Sequence, residues 1–203
     1  PRKYFFKENY IYIIQDVRGR WMSEGVFQDV RPFNPNKKGN EIDEATDAFD
    51  AIDWMVKNIP NNNGNVGVFG TSYPGFYANM AAHSNHPAIK AVSPQAPVSE
   101  WFIGDDFHHN GAFMLLDAFN FYTGFGKPRP KPTNVGPSGF PFPTKDNYGF
   151  YLATGALTNF TRLTGDSILF WKDLMAHPNY DAFWKARNAR ANVNVINPNI
   201  ATL

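Results

Sequence analysis

Residues Tyr10 to Gln15, YIYIIQ, form a β-branched and aromatic run without strict alternation, the pattern of a strand covered on both faces. DVRG ends it. From Asn40 the period changes: Ile42, Ala45, Phe49, Ile52, Val56 and Ile59 recur at spacings of 3, 4, 3, 4 and 3, one apolar stripe along a helix. Asn40 is the expected N-cap, Asp43 falls in the first turn, and Pro60 stands just beyond the end. NNNGN reads as a turn, Asn65 to Phe69 as a second strand, and Phe76 to Ser84 as a helix reached through a sharp bend at TSYPG. AIKAVSPQAPV supplies a third strand-like run. Strand, helix, strand, helix, strand from Tyr10 to Val98 predicts parallel strands joined by helical crossovers, an α/β fold.

After Glu100 the texture changes. WFIGDDFHHNGAFMLLDAFNFYTGF is rich in aromatics, and GKPRPKPTNVGPSGFPFPTK holds too much Pro and Gly for a regular element. YGFYLATGALTNFTRL, SILFWKDLMAH and YDAFWKARN have the look of short aromatic helices. The expected organisation is a core portion over residues 1–98, a mainly helical insertion over 99–190 beside the sheet, and 191–203 as a return strand or a tail.

Composition narrows the functional classes. Apolar residues make up 43% and charged ones 18%, against roughly 45–50% and about 25% in ordinary globular chains, so a folded, weakly charged protein is expected. A net charge of +1 offers no electrostatic case for nucleic acid or an anionic membrane. The absence of cysteine removes disulfides, thiolate nucleophiles and thiolate metal sites. No segment approaches 18 consecutive apolar residues, and the opening PRKYFFKENY lacks both Met and a signal-peptide core, so the chain is expected to be an internal piece of a longer protein.

Gly70-Thr71-Ser72-Tyr73-Pro74-Gly75 fits Gly-x-Ser-x-Pro-Gly between a predicted strand and a predicted helix, the setting that lifts a nucleophilic hydroxyl above a sheet edge. The helix start would place amide donors where negative charge develops in acyl transfer. The competing role for Ser72 is a helix cap. A serine nucleophile needs a base, and none of His83, His86, His108, His109 or His177 follows a strand end with an acidic residue before it. Asp105-Asp106-Phe107-His108-His109 is the second dense cluster, open between solvated charge at a helix start, a carboxylate meeting a substrate ammonium, and metal ligation. Asp16 and Arg18 follow the first strand, where a loop at the C-terminal edge of a parallel sheet often borders the site, and the favoured alternative is that they pair and fix the RGRWMSEG turn; Asn159-Phe160-Thr161 matches a glycosylation acceptor.

QDVRGRWMSEG, GTSYPG, SPQAPVSEWFIGDDFHHNGAF and HPNYDAFW together resemble the alpha-amino-acid ester hydrolases, within the grouping that also holds X-prolyl dipeptidyl-peptidases, cocaine esterase and glutaryl-cephalosporin acylases. The resemblance covers nearly all of residues 1–190 and implies an α/β-hydrolase domain with a helical cap. Carried over by motif, Ser72 resembles the acylated nucleophile and the Tyr73 amide one half of the oxyanion hole, whose other half is a tyrosine upstream of Pro1. Asp106 resembles a carboxylate that binds the substrate's α-ammonium, with adjacent Asp105 one position away. The resemblance places the catalytic aspartate and histidine beyond the cap, where this chain has only ANVNVINPNIATL. Trp21 stands where relatives often carry tyrosine.

The resemblance implies a serine hydrolase that cleaves or transfers an α-amino acyl group from esters or amides, its triad incomplete within these residues. An X-prolyl dipeptidyl-peptidase and a non-catalytic module that binds amino compounds are the alternatives. No metal or other cofactor is expected. The expected partners are a small molecule with a free α-amino group, the remainder of the parent chain and a further copy in a homo-oligomer, with no nucleic acid or membrane. By resemblance the compartment would be periplasmic or extracellular.

Overall fold

The computed structural model describes residues 2–203 and divides into two compact units, one running to Ser99 and resuming at Ala189–Leu203, the other Glu100–Asn188. In chain order the first unit opens with α1 (Arg2–Lys7), α2 (Glu44–Asn58), β1 (Val66–Thr71), α3 (Tyr73–His83) and β2 (Ile89–Gln95). The second unit holds β3 (Gly104–Asp105), β4 (His108–His109), β5 (Ala112–Phe113) and helices α4 (Leu115–Phe125), α5 (Asn147–Thr154), α6 (Leu157–Thr164), α7 (Leu169–Ala176) and α8 (Ala182–Ala186). A 3-10 turn, Val193–Val195, and β6 (Ala201–Thr202) return to the first unit. Among the described residues no helix is long and apolar enough to cross a membrane.

In the first unit β1 pairs with β2 and β2 with β6, all parallel. Ile52 of α2, Ala81 and Ala82 of α3, Ile89 and Val92 of β2 and Ile200 form the buried core. Alanines on α3 let that helix lie close to the strands, and Val66 and Val68 of β1 pack against the same cluster. The terminal stretch, open from sequence between strand and tail, is mostly irregular around the 3-10 turn and ends in the two-residue strand β6. Asn85 holds it, donating to Val195 O at 2.9 Å and accepting from the Asn197 amide at 2.7 Å.

Three local expectations change. YIYIIQ makes no strand among the described residues; it runs irregularly with Tyr10, Ile11, Ile13 and Ile14 exposed, and Tyr12 sets its ring 6.1 Å from Phe69 of β1. Apolar side chains suit a strand, but a strand forms only where backbone donors and acceptors find a ladder. Helix α2 is capped by Asp43, not Asn40: Asp43 Oδ1 accepts from the Thr46 amide and hydroxyl, both at 2.8 Å. Arg18 does not pair with Asp16. It reaches Asp47 on α2 with two bonds of 2.6 and 2.7 Å, while Asp16 accepts from the Met22 amide and, through its carbonyl, from Ser23 Oγ.

The second unit is held by rings. Phe119 of α4, fully buried, lies 5.0–6.3 Å from the rings of Phe140, Phe150, Tyr151, Phe160 and Trp171. The buried indoles of Trp171 and Trp184 find acceptors, in Thr161 Oγ1 and His177 O respectively. Residues 126–146 contain no helix or strand, as their Pro and Gly content requires. The short antiparallel sheet β3–β4–β5 is a feature that periodicity over two-residue strands cannot reveal.

Candidate active site

Ser72 sits between β1 and α3 with φ 63° and ψ −125°, and its side chain is exposed. That backbone region is costly for any residue bearing a Cβ, about 1–3 kcal/mol, so neighbouring contacts must impose it. They do. The Ser72 amide donates to Gln95 O at 2.9 Å, and the Ser72 carbonyl accepts the first bond of α3, from the Phe76 amide at 3.1 Å. A Cβ on Gly70 would lie 2.2 Å from Pro74 O, and one on Gly75 would lie 2.7 Å from Gln95 O. Both glycines are therefore demanded by close backbone approach, which accounts for the spacing of Gly-x-Ser-x-Pro-Gly. Pro74 lies in the first turn of α3, where its missing N–H costs nothing.

Ser72 makes no side-chain cap to α3, so its hydroxyl is not the capping group that the competing role required. Tyr73, the first residue of α3, sets its amide at the positive end of the helix dipole. Its side chain is buried: the phenol accepts from the Val30 amide at 2.9 Å and donates to Asp29 Oδ1 at 3.1 Å. Burial first, then the Asp29 charge, push that phenol well above its ordinary value, so it stays protonated.

Neither histidine of this unit serves Ser72. His83 lies eleven residues along α3, roughly 16 Å at the helical rise, and its Nδ1 bonds to Asn79 O at 2.9 Å. His86 is buried, accepts from the Ala88 amide and approaches Asp53 at 3.7 Å.

Asp105 and Asp106 belong to the second unit and differ in their contacts. Asp105 is engaged with the backbone, Oδ2 accepting from Glu100 N at 3.3 Å and Oδ1 from Asp106 N at 2.9 Å. Asp106 is exposed, and among the described residues no hydrogen bond engages its carboxylate. Partial burial first, then the charges of Asp105 and Asp117, raise its carboxyl above the usual range. His108 is a core residue, Nδ1 bonding to Trp101 O at 3.0 Å, with burial pushing its pKa down. Among the described residues no group of three or more His, Asp or Glu side chains could hold a metal.

His177, set aside from sequence as a base, forms a second polar centre whose pairing with Asp181 sequence reading did not foresee. Its Nδ1 meets Asp181 Oδ2 at 2.7 Å, its ring stacks on Phe183 at 4.2 Å, and the hydrogen bond to His177 holds Asp181 below the usual carboxylate range. The four-residue spacing in HPNYD was the available signal.

A family model described as X-Pro dipeptidyl-peptidase (S15 family) matches residues 1–202. The chain belongs to the S15 family. S15 relatives include the cocaine esterase of Rhodococcus sp. (strain MB1 Bresler), 31% identical over 111 residues that make up 55% of this chain and 17% of that one. A solved alpha-amino acid ester hydrolase is 35% identical with a TM-score of 0.85, over 98% of this chain and 31% of that one. An aminopeptidase from the marine sediment archaeon Thaumarchaeota archaeon is 36% identical with a TM-score of 0.81, over 91% and 30%. This S15 chain thus spans less than a third of the length of these relatives, and its mixed fold with a parallel sheet matches the α/β-hydrolase-like structures of the family.

Proposed function

We propose that the protein is part of a serine hydrolase in which Ser72 is acylated by an α-amino acyl group and then passes it to water or an amine. The strained, exposed Ser72 between β1 and α3 carries this reading. In the first half-reaction Ser72 Oγ adds to the substrate carbonyl while a base takes its proton; the tetrahedral oxyanion meets the Tyr73 amide at the start of α3, and collapse expels the alcohol or amine, which regains a proton. Water or an amine then attacks the acyl-enzyme and frees Ser72. The base is proposed to come from the longer parent, because His83 and His86 are both turned to other partners. The 203-residue chain alone is accordingly expected not to turn over esters or amides.

Asp106 is the proposed receiver of the substrate ammonium. Its carboxylate carries no structural hydrogen bond, and its like-charged neighbours Asp105 and Asp117 make a cation welcome there. In the full-length parent, Ser72→Ala should abolish the burst of alcohol release from phenylglycine methyl ester; a burst of wild-type amplitude contradicts the assignment. Asp106→Asn should cost roughly tenfold more on the α-amino ester than on its analogue lacking the amino group. Equal losses would refute that role, and a selective loss in Asp105→Asn instead would move it by one position.

The family model favours a second reading, cleavage of X-Pro amides. The similar amino-ester hydrolase structure supports the ester reading. Parallel assays on an α-amino methyl ester and an X-Pro anilide separate the two, and full binding of amino compounds without turnover would favour a non-catalytic module.

A further inference from the structure

Val30 adopts φ 38°, a left-handed conformation that a β-branched residue rarely takes, and it is buried. Its strained amide donates to the Tyr73 phenol, and the preceding residue, Asp29, accepts from that phenol. One corner of the 16–33 loop thus offers the phenol both an acceptor and a donor. The loop is itself fixed at two points on α2, by Arg18 on Asp47 and by Arg31 on Glu44 at 2.9 Å. Within it, a Cβ on Gly19, at φ 71°, would fall 2.2 Å from the Phe27 amide nitrogen, so the loop closes tightly on itself.

We propose that the Asp29–Val30 corner is a positioning device for the Tyr73 amide, gripping the far end of that side chain so that the amide keeps one orientation at the start of α3. This rests on Ser72 being the nucleophile. The strained peptide between β1 and α3 could relax by rotating, and such a rotation would swing the Tyr73 N–H away from the developing oxyanion. A phenol held at its oxygen, with Phe27 and Phe76 packed 6.3 and 6.0 Å from its ring, resists that swing. Asp29 touches no reacting atom in this account. It acts through Tyr73.

The experiment uses the full-length parent carrying Tyr73→Phe, Asp29→Ala or Asp29→Asn. Three quantities are read: acylation rate per titrated active site on phenylglycine methyl ester, KM, and affinity for the matching boronic acid, which mimics the tetrahedral adduct. Tyr73→Phe and Asp29→Ala should each lower the rate per site and the boronate affinity together by about 10-fold or more, short of the roughly 10²–10³ for complete loss of an oxyanion donor, while KM stays within about twofold. Asp29→Asn keeps an oxygen that accepts from the phenol and should recover most of that loss, ending within about threefold of wild type. Misfolding lowers the number of titrated sites and not the rate per site; if both truncations fail to fold, Asp29→Asn decides through its boronate affinity, for which a loss of about tenfold or more overturns the proposal. Rates per site and boronate affinities equal to wild type in the truncations overturn it as well. A burst that survives Ser72→Ala would instead bring down the nucleophile assignment, whereas a burst lost in Ser72→Ala with unchanged corner variants removes this inference alone.

Discussion

The two units solve the problem of holding a chain in opposite ways. Around Ser72 the constraints are on the backbone: two glycines that admit no Cβ, a left-handed serine, a left-handed valine, and ion pairs that pin the loop to α2. In Glu100–Asn188 the constraints are on side chains, with ring against ring around Phe119 and a long Pro/Gly segment that has no helix or strand. Geometry that must be right to a fraction of an ångström is built from backbone contacts, because these leave no rotamers to relax. An aromatic core tolerates repacking and supplies bulk stability. Mutations in the two regions should therefore fail differently.

The largest expected effect is on stability in the second unit. Phe119→Ala removes a fully buried ring and should cost about 3–5 kcal/mol, raising amide exchange across α4–α7 by roughly 10² or more with little change in α3. Exchange that rises equally in α3 would break the contrast. Next, Gly70→Ala forces a methyl into Pro74 O and should slow acylation of the full-length parent about 10²-fold, while exchange in α4–α7 stays as in wild type. Wild-type acylation in that variant would mean that the bend is not demanded by the glycine.

A smaller effect sharpens the account of the loop anchor. Glu44 is buried, and that burial raises its carboxyl from 4.5 to about 7 against the pull of Arg31. The folded state then binds more protons than the unfolded one between these values, so its contribution favours folding at low pH and is lost as pH rises through about 7. Between pH 5 and 8 this amounts to about 2 kcal/mol. Exchange protection in α2, corrected for intrinsic rates, should fall across that range in wild type and stay flatter in Glu44→Gln. Identical slopes would contradict the assignment.

The contrast also explains what could be read from the chain. The β1–α3–β2 segment was legible because its signals are local: a helical period, a Gly-x-Ser-x-Pro-Gly string, and strands short enough to be bounded by turns. YIYIIQ was not, since a strand depends on a neighbour that no local pattern names. Asp43 displaced Asn40 as a cap because Asp43 also serves the Asn34 amide and Lys37, contacts from a loop whose path is a tertiary matter. The grip of Asp29 on Tyr73 spans 44 residues and that of Arg18 on Asp47 spans 29, so neither leaves a trace in spacing. For the acidic pair, the sequence offered two adjacent aspartates, and only the backbone bonds of Asp105 tell them apart.

The central claim is that Ser72 takes the acyl group. Its most direct test is an acid quench of the full-length parent during turnover of phenylglycine methyl ester, followed by digestion and mass analysis of the peptides. The account predicts a phenylglycyl adduct on Ser72, absent from Ser72→Ala. An adduct on any other residue, or turnover with no trapped acyl group and undiminished in Ser72→Ala, would contradict it.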